Sequence, residues 1–429
     1  RQRQMCIRDR NMTNQKYIAL IDCDSFFVSC ERKLNPELKG IPVAVVSGER
    51  GCVISRSKEA KMLGLPMGLP LFQAVQRVPE CIYISANHYA YTKISKQVMN
   101  ILKDFSPNVE VYSIDEAFVD FTGLTKLYKK NYFKLARELQ KRIADEVDIP
   151  VTIGISRSKT LAKLASDKAK NTSARIAVIG KCGIHHLLEF TEIQEVWGIG
   201  RKLGVRLRGL GVRTALDFIN KDDKWVKSKF GKNGLTSKAE LSGIMVSPIS
   251  NEVELPKSIS DTKSFLEFSS DLQFLKNELS IHIHESCARL RKIDCKCATI
   301  GVLLKTKDFR TLYSKVQLDI PTDFEFEISR AAFPLLTEMF NSREVYRSVG
   351  IVLEDFREKA EEQLTLFSNN EKKEQNEKLG QSLDKLEKKF GRNIVRTGFT
   401  NKEVPFKQGF LTSPKAVSYT HLRAHETTL

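Results

Sequence analysis

Two short acidic clusters stand among residues that belong in the interior of a sheet. "KYIALIDCDSFFVSCE" (Lys16–Glu31) opens as an apolar strand and ends in Asp22-Cys23-Asp24, just before Phe26 and Phe27. "VYSIDEAFVDF" (Val111–Phe121) carries Asp115 and Glu116 between β-branched and aromatic neighbours. Burying one unpaired carboxylate is costly, and two adjacent ones repel. One acid could face solvent at a hairpin turn while the other pairs with a Lys or Arg. The flanks "YSI" and "AFV" leave little that looks like a polar turn. A divalent cation changes the balance, because hard cations favour carboxylate oxygens and cancel the repulsion. Acids ending one buried strand, opposite a second strand carrying Asp115–Glu116, can share one metal site. A two-metal centre for phosphoryl transfer needs such a cluster, with ions about 3.5–4 Å apart clamping the attacking and leaving oxygens. Adjacent side chains of an ideal strand point to opposite faces, so the backbone is expected to bend at Ile114–Glu116.

Composition bounds the setting. A chain of 429 residues exceeds one ordinary core and suggests several domains. Its 69 Lys+Arg against 52 Asp+Glu give a net charge of +17, which points to a polyanionic partner, nucleic acid before membrane surface. No run approaches the ~18–20 apolar residues of a membrane span, and no secretory segment is read, so a cytoplasmic protein without a membrane partner is expected. The nine cysteines include no CxxC pair. Cys295 and Cys297 fall on one face of an expected strand, and reduced thiols fit better than zinc. His185-His186 and His282-x-His284 are read as structural. Residues 1–11, before Met12, and 416–429 read as non-native flanks.

The elements that must position the acids follow in order. "VAVVSGERGCVISRSKEAKMLGLPMGLP" is a strand followed by a cluster of cations. "IPVTIGISRSKTLAKLASDKAK" (Ile149–Lys170) reads as strand, tight Gly-Ile-Ser turn, then a Lys-rich helix. Lys159 at the helix start either faces solvent with the other lysines or meets a phosphate. "VWGIGRKLGVRLRGLGVRTALDFI" (Val196–Ile219) alternates Gly turns with short helical stretches, and residues 197–245 hold eleven Lys/Arg against four Asp/Glu. A dinucleotide fingerprint needs a leading strand that Gly198-x-Gly200 lacks. A helix-hairpin-helix fits better, its turn offering backbone N–H groups to a DNA phosphate without reading sequence. Gly198, Gly200, Arg201 and Lys202 are its DNA-binding candidates. Residues 257–356 then read as strand (to about Phe265), helix (271–292), two strands (296–305, 311–318), helix (323–341) and strand (345–354), a β-α-β-β-α-β domain. From residue 357 the chain is a charged tail in which "QLTLF" (Gln363–Phe367) is an apolar island.

Four stretches, "DCDSFF", "YSIDEAF", "GISRSKTLAKLAS" and "WGIGRKLGVRLRGLG", resemble the Y-family DNA polymerases in family order, most closely the UmuC-like branch. The resemblance spans about residues 16–412. It implies an α+β multidomain fold: a palm with a mixed sheet and flanking helices (12–34 and 86–184), small fingers (35–85) and a helical thumb (185–245). A linker (246–256) leads to a little finger (257–356) and the tail (357–415). It implies that Asp22, Asp115 and Glu116 are catalytic and ligate two Mg²⁺ ions, with Cys23 contributing its backbone carbonyl. Phe27, beside Phe26, matches an aromatic steric gate against a ribose 2′-hydroxyl. Ser55, Lys58, Lys61 and Lys159 occupy positions that meet the incoming triphosphate. DNA polymerase IV reads Tyr-Glu-Ala-Arg where this chain has Lys58-Glu59-Ala60-Lys61. Lys61 keeps the charge but loses the bidentate fork, and UmuC-like sequences share that Lys.

The implied activity is template-directed, error-prone translesion synthesis on primer–template DNA from dNTPs, within an SOS response to damage. Gln363, Leu364, Leu366 and Phe367 resemble a sliding-clamp-binding motif. A recombinase filament or a UmuD-like accessory subunit are further implied partners. Two rivals compete: a nucleotide cyclase with a palm-like sheet, and a non-catalytic DNA-binding protein. A cyclase needs neither the helix-hairpin-helix nor the +17 charge, and an intact acid set argues against a decayed site.

Overall fold

The structure, a computed structural model, describes residues 16–48, 51–251 and 255–358, with short pieces at 378–380, 382–386 and 389–390. The first part of the chain supplies β1 (Ile18–Cys23), β2 (Val43–Val46), β3 (Val53–Arg56), β4 (Ile82–Ser85), β5 (Val109–Val111), β6 (Glu116–Asp120), β7 (Val151–Ser156) and β8 (Ile176–Val178). Five of them form one mixed sheet in the order β5-β6-β1-β7-β8, with β1 antiparallel to both neighbours and β7 parallel to β8.

Every residue of β1 and β7 is buried, as a central strand covered on both faces requires. Ala19, Ile21 and Cys23 join one core with side chains of the helices His88–Phe105 and Tyr132–Val147. Ile18 and Leu20 pack instead with Phe118 and with Ala162 of the helix Lys159–Ala169. Each large aliphatic side chain so covered contributes about 1.5–3 kcal/mol. The apolar period thus fixes the sheet between two helical layers and leaves the acidic end of β1 at its rim.

The turn expected at Gly154-Ile155-Ser156 is absent, because β7 continues through Ser156. The chain turns one step later, and Ser158 caps the next helix by accepting from the Leu161 N–H (3.2 Å). Gly154 serves close approach rather than turning. A Cβ there would overlap the Ser166 backbone nitrogen and the Ala162 carbonyl oxygen. Gly154→Ala should therefore destabilise the protein by about 3 kcal/mol or more, since backbone must move to make room. A urea midpoint equal to that of the native chain would show that the helix has space to spare.

A smaller sheet, β3-β2-β4, has its own core of Ala44, Val46, Val53, Leu65 and Tyr83. The helices Lys181–Glu189, Arg201–Gly209, Ala215–Ile219 and Asp223–Leu241 enclose Leu187, Leu188, Leu207, Phe218 and Val226.

A second compact unit follows residue 253. It runs β9 (Ser258–Ser269), helix Leu272–Lys292, β10 (Cys295–Thr306), β11 (Thr311–Thr322), helix Glu325–Met339 and β12 (Tyr346–Glu358). This is the β-α-β-β-α-β order, with β9 and β11 each four residues longer than the sequence suggested. Their extra residues pair with neighbouring strands, Ser269 with Tyr346 and Thr322 with Cys297. The sheet order is β11-β10-β12-β9. Cys295 and Cys297 are buried free thiols of β10. His282 and His284 pair with Asp261 (2.8 Å) and Glu325 (2.9 Å), in keeping with structural roles.

No helix among the described residues is long and apolar enough to cross a membrane. Gln363, Leu364, Leu366, Phe367 and the two terminal flanks lie outside the described residues.

Candidate active site

The bend that adjacent acids demand is present at Ser113–Asp115. The Tyr112 and Ser113 amides both donate to the Glu116 carbonyl (3.0 Å each), and the Ser113 hydroxyl donates to the Asp115 carboxylate. Both acids are half-buried, and Glu116 opens β6. The stretch before them is less buried than its hydrophobicity suggests. Tyr112 stays 46% exposed because its ring leans edge-on against Trp197 (5.3 Å between centroids) at the rim.

Register brings the acids together across the sheet. Asp22 lies opposite Glu116, and the Cys23 amide donates to the Asp115 carbonyl (2.9 Å). Burial pushes the Asp22 carboxyl up to about 6, the charges of Glu116 and Asp115 push it the same way, and Lys170 holds it back. Burial also pushes the Cys23 thiol well up, so a neutral side chain leaves the backbone carbonyl as its available donor. Asp24 belongs elsewhere: it accepts from the Thr152 hydroxyl (2.7 Å) and lies 3.4 Å from Arg175.

Each of two acids is closed by a lysine. Lys170 Nζ lies 2.7 Å from Asp22 Oδ2, and Lys163 Nζ lies 2.8 Å from both Glu116 oxygens. Among the described residues no three acid, histidine or cysteine side chains close on one point. Charge explains it, since carboxylates that repel one another turn to the nearest cations. The donor chemistry still fits a hard divalent ion, being three carboxylates and a carbonyl.

Lys163 and Lys170 are the residues that sequence reasoning missed, and Lys159 is the one it placed differently. Lys159 is 5% exposed and its Nζ sits 2.7 and 2.6 Å from the Glu110 carboxylate oxygens. A lysine so deeply paired is unsuited to an incoming phosphate unless Glu110 lets go, because breaking a buried pair strands a charge. The helical period was the available signal, as residues 159, 163 and 170 share one stripe.

The remaining candidates divide by burial. Phe26 is 3% exposed and sits in the core, which leaves only its backbone for a nucleotide. Phe27 is half-buried and stacks on Tyr91 (4.8 Å between centroids) with His88 at its edge. Ser55 is buried in β3, and Lys58 and Lys61 are exposed on the short helix Lys58–Met62. Gly198 has φ +86°, and Gly200, Arg201 and Lys202 are exposed at a helix start with no side-chain cap. Those first N–H groups are thus open to an anion.

Comparison with known proteins gives consistent results. The pattern described as the impB/mucB/samB family matches residues 21–167, and that of its C-terminal domain matches residues 256–366. The chain is 31% identical to Protein UmuC of Salmonella typhimurium, over 88% of this chain and 92% of that protein. It is also 31% identical to DNA polymerase IV 1 of Bacillus subtilis, over 89% of this chain and 92% of that protein. Among solved structures it is similar to a Y-family DNA polymerase chimera of Dbh and Dpo4, with TM-score 0.70, 27% identity, and coverage of 80% and 99%. The insertion ternary complex of Dbh DNA polymerase matches with TM-score 0.56, 26% identity, and coverage of 80% and 99%.

Proposed function

The chain belongs to the impB/mucB/samB family and is a UmuC-like, Y-family translesion DNA polymerase, and we propose that Asp22, Asp115 and Glu116 are its catalytic acids. The observation that carries this assignment is the pairing of Asp22 with Glu116, bridged by the Cys23–Asp115 hydrogen bond. Relatives of this class use divalent metals; here two Mg²⁺ ions on these carboxylates and the Cys23 carbonyl would activate the primer hydroxyl and neutralise the triphosphate.

The chain's own residues do the rest. Burial and the neighbouring acids raise the Asp22 carboxyl to about 6, while Lys170 favours the ionised form that could ligate. Lys163 and Lys170 hold the carboxylates until they are needed elsewhere. Once freed, Lys170 is the better candidate than Lys159 for a triphosphate oxygen, because its present partner is a metal-ligand acid. Ser55, Lys58 and Lys61 approach the same triphosphate from the smaller sheet. We read residues 12–34 and 86–184 as palm, 35–85 as fingers, 185–245 as thumb and 257–356 as little finger. The exposed turn at Gly198–Lys202 would hold primer–template DNA by its phosphates. Magnesium-dependent primer extension, beside the acid variants discussed below, tests the assignment. A cyclase would instead convert a lone NTP without primer.

The tail adds a partner. Gln363, Leu364, Leu366 and Phe367 would order on a sliding clamp, which gives a weakly processive enzyme a tether by raising effective concentration. Replacing Leu366 and Phe367 with Ala should remove stimulation by the clamp but spare clamp-free, single-nucleotide incorporation. Stimulation surviving the double substitution would place the tether elsewhere. Recruitment to damage by a recombinase filament or a UmuD-like subunit, and SOS control, belong to the same proposal.

A further inference from the structure

A cavity of about 640 Å³ opens beside Asp24, two residues from Asp22. Its walls come from Ser25 and Ser29, from Lys58, from Arg137 and Lys141 of the helix Tyr132–Val147, and from Arg175 ahead of β8. The link to the active site is short. Thr152, whose hydroxyl fixes Asp24 (2.7 Å), is also the strand partner of Asp22.

Charge singles this cavity out. Lys58, Arg137, Lys141 and Arg175 line it with Asp24 as the sole carboxylate. Arg32 lines it too, but its guanidinium is tied to Glu59 (2.8 Å) and to the Leu38 and Ile41 carbonyls. Among the described residues Lys58, Arg137 and Lys141 have no ion pair. Like charges gathered without counterions repel one another and lower the cost of binding an anion. Arg175 and Ser25 both hold a left-handed backbone (φ +54° and +44°), where a side chain is disfavoured. No aromatic side chain lines the cavity, so nothing there would stack on a base.

We propose that this cavity receives the pyrophosphate leaving the active site. The proposal rests on the polymerase reading. In nucleotide transfer the primer 3′-oxygen bonds to the α-phosphorus, the primer hydroxyl gives up its proton to solvent water, and the bond from the α-phosphorus to the bridging oxygen breaks. The electron pair of that bond departs with pyrophosphate, a small and multiply charged anion. Lys58, exposed and a wall of the cavity, is also the candidate for the triphosphate, and would hand the anion from one place to the other. Arginine forks at Arg137 and Arg175 suit a phosphate, which accepts paired hydrogen bonds.

The test is product inhibition of the full chain by inorganic pyrophosphate. Arg137 and Lys141 are exposed on their helix, so Arg137→Ala with Lys141→Ala should leave the fold intact. The double variant is expected to raise the ratio of the pyrophosphate inhibition constant to the KM for dNTP about tenfold, the loss of roughly one good charged contact. Arg137→Lys with Lys141→Arg, which keeps both charges, is expected to stay near the native ratio. Titration of inorganic pyrophosphate into the protein–DNA complex should show the same weakening, and it reads binding even if a variant incorporates nothing. An unchanged ratio, or equal rises in both constants, would overturn the proposal, the second outcome assigning the cavity to the incoming triphosphate. Absence of incorporation by the native chain would instead strike the polymerase reading itself.

Discussion

Asp115→Ala is expected to lower single-turnover nucleotide incorporation by ~10³-fold or more while primer–template affinity changes little. Asp115 stands at the bend where its carbonyl ties the two acidic strands together and its carboxylate takes the Ser113 hydroxyl. Truncation removes a hard oxygen donor and leaves the backbone bond in place. DNA affinity should persist because it is dominated by phosphate contacts made elsewhere. Asp22→Ala should be equally inactive, although it also strips Lys170 of its nearer partner, leaving Asp167 at 3.3 Å. Asp115 is therefore the cleaner test. Rapid-quench incorporation and equilibrium binding of a labelled primer–template separate the two effects. Substantial incorporation by either variant would remove these residues from the catalytic set.

The second large effect concerns the sugar. Phe27→Ala should reduce the preference for dNTP over rNTP, measured as a ratio of kcat/KM values, by about 10- to 100-fold, the range that steric selection in a pocket supplies. Phe27 follows Asp22 by five positions and is half-buried, with Tyr91 and His88 against its ring. An aromatic ring so held is rigid enough to exclude a 2′-hydroxyl. Its neighbour Phe26 is the fully buried member of the pair, whereas Phe27 is only partly covered by the same core. Loss of the stacking on Tyr91 costs about 0.5–1.5 kcal/mol beyond the burial that the half-buried ring gives up. Unchanged sugar discrimination in an active variant would make Phe27 a packing residue.

What the sequence determined by itself was local and periodic. Apolar runs placed a strand directly before Asp22-Cys23-Asp24 and the β-α-β-β-α-β order over residues 257–356, close to the Ile18–Cys23 and 258–358 observed, because those patterns reflect burial that each element needs wherever it packs. The acids were legible for the same reason. Carboxylates within buried strands carry a cost that demands a partner, and two adjacent acids proposed to share one site require a bend, which is found at Ser113–Asp115.

Only the tertiary structure decided which lysines attend those acids. Lys159, Lys163 and Lys170 share one helical stripe, so their spacing ranks them equally. Gly154 decides between them, since its missing side chain lets the helix settle against β7. In that seat Lys159 meets Glu110, and Lys163 and Lys170 reach Glu116 and Asp22. The cationic cavity lay further still from the sequence. Its walls come from residues 24, 58, 137 and 175, which no period connects and which only the closing of the sheet on its helices brings together. Periodicity records what each element buries, whereas a site depends on the offset between elements, and that offset is set by close packing.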